Sequence, residues 1–180
     1  MEEYEDHTEH TRENIMEHAA EGSEHQKLVS KIALSSAIFA VAAAVTSLLA
    51  GTYANEAMLD QIKGSDQWNF YQAKGIKAAV LASKMDILRG MGKSVSPEDE
   101  KKIEDYKREQ DEIKEKAQES EKESSHHMVK HETFARGVTL FQVAIGLSAV
   151  SILTKRKKLW FASLSFGVVG VYFLVQGLLG

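Results

Sequence analysis

Three stretches of the chain, 32–55, 137–154 and 159–180, contain no Asp, Glu, Lys or Arg. Each is close to the roughly 20 residues that a helix rising ~1.5 Å per residue needs to cross a bilayer. One ionised side chain at mid-bilayer costs about 2.5–3.5 kcal/mol, so charge-free windows of this length are what a membrane demands. The middle window is short, and Phe134 and Ala135 extend it if Arg136 snorkels toward the headgroups. The remaining charge is sorted to match. Residues 1–30 hold nine acids and two bases, 52–135 hold seventeen acids and fourteen bases, and 133–180 hold five bases and no acid. A soluble domain with three such core helices and long charged arms would lack the surface to hide them. The expected fold is an all-α membrane protein: three transmembrane helices with a long antiparallel, coiled-coil-like hairpin between spans 1 and 2. The spans are placed at 31–55, 137–154 and 159–180, the hairpin at 54–136.

Composition narrows the chemistry. The absence of cysteine excludes disulfides, a thiolate zinc site and a cysteine nucleophile. A net charge of −4 gives no reason to expect nucleic acid, which would want a basic face. The acid-dominated tail at 1–30 is unlike the short basic start of a signal peptide, so the first window is expected to be a retained span. Ile15, Met16, Ala19 and Ala20 give this tail the makings of an amphipathic helix on the membrane surface.

Direction follows from the turn at 155–158. Lys155, Arg156, Lys157 and Lys158 are four consecutive bases between closely spaced spans, where the positive-inside rule is strongest. That puts this turn and the N-terminus in the cytoplasm, with the hairpin and the C-terminus outside. Lys27 and Lys31 agree, while Lys130 and Arg136 oppose the assignment mildly. Trp160 and Tyr53 fall where interfacial aromatic belts are expected.

Between spans 1 and 2 the only break is at 90–97, where two glycines precede Ser96 and Pro97, an N-cap followed by a proline at the first helical position. Glu98, Asp99 and Glu100 then suit the positive end of a helix dipole. The returning arm repeats at 3-4 spacing: Ile103, Tyr106, Gln110, Ile113, Ala117, Ser120, Ser124, His127, His131 and Phe134. The outgoing arm carries two stripes. One is Ile62, Asn69, Ala73, Ile76, Val80, Ser83 and Ile87; the other is Trp68, Gly75, Ala79, Ala82 and Met85. One hairpin partner covers one stripe. The other is covered by the protein's own helices or by a neighbouring chain.

Small residues repeat inside the spans as well. The first carries Ala33, Ala37, Ala40, Ala44, Ser47 and Gly51, and the third Ser163, Gly167, Gly170 and Gly177. Such seams let helix backbones approach closely in lipid, whether within one chain or between chains. His7, His10, His18 and His25 are scattered among the acids of the tail. Glu123, His127 and His131 share one helical face at i, i+4, i+8, a spacing able to grip a metal ion. Those positions also belong to the 3-4 repeat, and a solvated or interface histidine cluster is the preferred reading; no metal or other cofactor is expected. No phosphate loop, dinucleotide fingerprint or nucleophile elbow occurs, and no enzymatic activity is expected. The three charge-free windows hold no Asp, Glu, Lys, Arg or His, which weighs against ion-coupled transport. Gln142 and Gln176 lie toward the outer ends of their spans and could hydrogen-bond across the second and third helices.

The strings NEAMLDQ (55–61), SDQWNFYQAKGIK (65–77) and LTKRKKLWFASLSFGVVG (153–170) resemble the bacterial domain-of-unknown-function family 4337. The most specific part is Asp66, Trp68, Tyr71, Gln72, Ala73 and Lys74. The resemblance covers most of the chain and implies a three-span protein of the bacterial envelope, in the cytoplasmic membrane; it brings no activity and no site residues. The functional expectation therefore rests on the residues. It is a non-enzymatic, self-associating membrane scaffold or structural subunit of an envelope assembly, packed through Ala33, Ala37, Ala40, Ala44, Ser47, Gly51, Trp68, Ile76, Ser163, Gly167 and Gly170. The alternative is an oligomeric channel or pore subunit. Expected partners are membrane lipid, further copies of the chain and other envelope proteins.

Overall fold

The computed structural model describes residues 26–180 with their side chains, and the backbone of the first helix from Glu2 onward. The tail histidines and the amphipathic face expected at 15–20 lie outside the residues whose side chains are described. The described residues form three helices: α1 (Glu2–Gly90), α2 (Pro97–Thr154) and α3 (Lys157–Leu179). Among the described residues there is no strand. All three helices contain a stretch long and apolar enough to cross a membrane. Two compact units result. The first comprises 1–48 and 133–180, the second 49–132.

In the first unit the third helix turns its small residues inward. Ser163, Gly167, Gly170 and Gly177 are all buried. Each glycine is a notch for a ring. Phe39 of α1 lies against Gly167, Phe141 of α2 against Gly170 and Phe134 of α2 against Gly177. A methyl group at Gly177 would stand 2.6 Å from the Phe134 ring, and one at Gly170 2.9 Å from Phe141. Helices that cross a membrane have no hydrophobic drive to associate in lipid, and close fitting of this kind is what can hold them together. Phe39 and Phe141 also stack with centroids 6.3 Å apart. Buried hydroxyls complete the interface. Ser163 Oγ donates to the Ala144 carbonyl at 2.8 Å, which leaves Ser148 Oγ to donate to Ser163 at 2.8 Å. Thr46 Oγ1, also buried, donates to its own helix at the Ala42 carbonyl, 2.7 Å away.

The first span faces this core with Ile32, Phe39 and Thr46. Its alanine seam points elsewhere: Ala33, Ala37, Ala40, Ala44 and Ser47 are all exposed.

The basic turn is tighter than its sequence suggests. α2 ends at Thr154 and α3 begins at Lys157, so Lys157 and Lys158 belong to the first turn of a helix rather than to a four-residue loop. The loop is Lys155 and Arg156 alone. Lys155 takes a left-handed φ of 53°, a conformation L side chains adopt at a cost of about 1–2 kcal/mol. The Ser151 hydroxyl fastens the turn by donating to the Arg156 carbonyl at 3.0 Å.

In the second unit α1 and α2 run antiparallel, as the partners along the pair require. Lys84 meets Asp99, Lys74 meets Glu109, Trp68 meets Glu121 and Ala57 meets Ser124. The end of α1 is closed by Gly92 at φ +70°, with Gly92 N donating to the Arg89 carbonyl and Lys93 N to that of Leu88. That is a Schellman cap, and glycine suits its left-handed position. Ser96 opens α2, its carbonyl accepting from Asp99 N at 3.0 Å and its Oγ from Glu98 N at 3.3 Å. The 3-4 repeat of the returning arm is the inward face: Ala117 and Ser124 are buried and the other seven positions within this unit half-buried, while Phe134, the last of the repeat, is buried in the first unit. Gly64 and Gly75 of α1 admit close approach. A Cβ at Gly75 would lie 2.7 Å from Gln110 Nε2, which instead donates to the Tyr71 carbonyl at 3.0 Å.

Candidate functional site

Two features of the second unit stand out: a charged groove and an uncovered apolar face. The groove of about 630 Å³ is lined by Glu56, Leu59, Asp60, Lys63, Glu119, Lys122, Glu123, His126 and His127. At its base is Asp60, only 5% exposed. It sits between Ala57 and Gly64 on the face where α1 meets α2, so its carboxylate needs partners to offset lost hydration. Lys63 supplies one at 2.8 Å and His127 Nδ1 the other at 3.0 Å. The Lys63 hydrogen bond, reinforced by that from His127, holds the Asp60 carboxyl below its usual range against the opposing pull of burial. The same pair pushes the Lys63 ammonium upward.

His127 and His131 are each committed through Nδ1 to α1. His127 donates to the Asp60 carboxylate, and His131 Nδ1 lies 2.9 Å from the Ala50 carbonyl, which only accepts. Nε2 of His127 is 3.7 Å from a Glu56 oxygen, and Tyr53 and His126 rings flank it at 6.0 Å. Glu123 shares the groove but is exposed, and His131 is not among its lining residues. The sequence trio is thus brought to one end of the pair without converging on one point. Among the described residues no three His, Asp or Glu side chains are placed to hold a metal ion.

Asp60 escaped the sequence reading, although a signal was present. An acid between small residues on an inward face, three residues before a lysine, marks a buried carboxylate with a local partner. The pair dictates a pH response. A carboxyl with a lowered value contributes stability above about 3.8, its ordinary value, and loses that contribution as pH falls through its folded value. Lys63, raised above 10.5, contributes below that value and loses it at higher pH. Asp60→Asn is therefore expected to lower the thermal midpoint of the second unit at about pH 7 and to match wild type more closely at about pH 3. A gap that stays the same at both pH values would assign the effect to packing instead.

The second feature is the stripe containing Ile62, Ile76, Val80 and Ile87. Ile76 and Val80 are 64% and 65% exposed, and Asn69, Ala73 and Ser83 are exposed beside them. The companion stripe is mostly inside: Met85 is buried, and Trp68, Gly75 and Ala82 are half-buried, while Ala79 is exposed. Trp68 Nε1 donates to Glu121 Oε1 at 2.8 Å and its ring meets Tyr71 edge-on at 5.5 Å, so Trp68 is engaged within the chain.

The profile of a family described as Domain of unknown function (DUF4337) matches residues 28–180. No curated protein and no solved structure matches the chain.

Proposed function

The chain belongs to the DUF4337 family of unknown function, by a match over residues 28–180, and since that family offers no activity to inherit, we propose from its surfaces that the protein is a non-enzymatic, self-associating membrane scaffold. The observation that carries this reading is the contrast between two small-residue seams. On α3 the glycines are filled by phenylalanine rings of the same chain. On α1, Ala33, Ala37, Ala40, Ala44 and Ser47 are exposed, and so is Gly51 in the second unit, where a Cβ would meet nothing within 4 Å. Lipid tails gain nothing from small residues, whereas a second helix does.

The Ile62 to Ile87 stripe supports the same reading from outside the spans. Apolar surface left in water forgoes about 25 cal/mol per Å², and an adjacent copy is the simplest cover. Assembly through these faces would serve an envelope scaffold in a bacterial cytoplasmic membrane. A channel would rest on the same assembly, but the seam is alanine, serine and glycine with no charged or amide side chain, which favours a dry contact over a wet lumen.

The experiment is the native mass of the detergent-extracted protein, with crosslinking in the membrane. A defined oligomer is expected; a protein that is monomeric at every concentration would remove the scaffold and the channel together. The four bases at 155–158 support a hairpin outside the cytoplasm. A cysteine introduced by Ser94→Cys should then react with an impermeant reagent in intact spheroplasts. Reaction only after lysis would reverse the orientation.

A further inference from the structure

We propose that α1 and α3 form a seat for the phosphate of an anionic phospholipid, at the membrane face that carries the basic turn. Lys27 and Lys31 of α1 and Lys157 of α3 line one cleft of about 300 Å³, together with Leu28, Trp160 and Phe161. Three lysines from two helices thus line one space of headgroup size. The cleft is positioned rather than loose. Trp160 Nε1 donates to Ser35 Oγ at 3.2 Å, and Ser35 Oγ donates to the Ile32 carbonyl at 2.9 Å, so the indole that walls the cleft is tied to α1.

The chemistry selects a net negative headgroup. Residues 26–48 and 133–180 include no acid, so the described part of this unit has nothing to receive the ammonium of a zwitterionic lipid. Glu24, three residues before Lys27 in sequence, is the nearest acid, and no acid lies within one helical turn of Lys31 or Lys157. No side chain caps the start of α3, where Arg156 is extended, and the helix dipole adds a positive end beside Lys157. The apolar part of the cleft argues for a lipid over free phosphate. Phe161, 60% exposed, offers a surface for an acyl chain next to the cations, a combination inorganic phosphate has no use for. Basic pockets between membrane helices recognise phospholipid headgroups in this way.

The test uses the full chain in a Trp68→Phe background, so that Trp160 alone fluoresces. Brominated phosphatidylglycerol, titrated into mixed micelles, is expected to quench Trp160 at least about tenfold more tightly than brominated phosphatidylcholine. Each lysine near an anionic headgroup contributes about 1 kcal/mol, a factor of about five, so Lys31→Gln with Lys157→Gln should weaken that binding about tenfold or more. Lys155→Gln with Lys158→Gln removes the same charge outside the cleft and should change it less than about twofold. Should the glutamine pair fail to fold, Lys31→Arg with Lys157→Arg keeps the charge, and lipid preference must survive in it. Equal losses from the two glutamine pairs would reduce the effect to diffuse surface attraction and overturn the seat. Equal quenching by the two lipids, or displacement of the anionic lipid by inorganic phosphate, would overturn it as well.

Discussion

Gly167→Leu should break the packing of the first unit, lowering its stability by about 3 kcal/mol or more, at the upper end of what overpacking costs. The reason is local: even a bare Cβ at Gly167 would run into the Phe39 ring, which is itself buried. Gly146→Leu is the matched control, because a Cβ there meets nothing within 4 Å. Resistance to SDS unfolding of the two variants separates steric conflict from helix propensity, which favours leucine equally at both sites. Phe39→Ala in the Gly167→Leu background should recover part of the loss, and the double-mutant cycle should show strong coupling. Additive losses would mean that the ring and the notch do not meet.

Ala40→Leu with Ala44→Leu is expected to weaken assembly by about tenfold or more, since bulk at a small-residue seam holds two backbones apart. Both alanines are exposed on the single chain, so the unfolding resistance of the monomer should stay near wild type. This separation of assembly from folding is the opposite of what Gly167→Leu produces. Ile76→Lys with Val80→Lys probes the second unit in the same assay, replacing two exposed apolar residues with charge. Crosslinking yield and native mass report on both pairs. If the leucine pair assembles like wild type, the seam faces lipid and the contact between copies must be sought elsewhere.

The two kinds of segment differed in how far their sequence betrayed their faces. On the returning arm the contrast between water and a packed partner writes itself into side-chain polarity. The ten positions of the repeat from Ile103 to Phe134 are accordingly all buried or half-buried. Within the spans that contrast vanishes, because lipid and protein interior are both apolar. The seams of α1 and α3 look alike in sequence, yet one is exposed and the other holds three rings. What distinguishes them is the placement of Phe39, Phe134 and Phe141 on other segments, which periodicity along one helix does not encode. The extent of the basic turn was misjudged for a related reason. Charge marks where a span must stop, but a helix continues through charged residues until a cap ends it, so Lys157 and Lys158 are helical. Asp60 was overlooked because a single acid in a polar arm carries no pattern of its own.

The rings seated on α3 also restrict how that helix is able to move. A slide by one turn, ~5.4 Å, would bring residues four places along opposite the rings. Phe39 would face Ser163 or Val171, and Phe141 would face Phe166 or Leu174, all with side chains where a notch is needed. Axial travel is therefore blocked in both directions, like a bolt held by detents, and piston motion is not open to this helix.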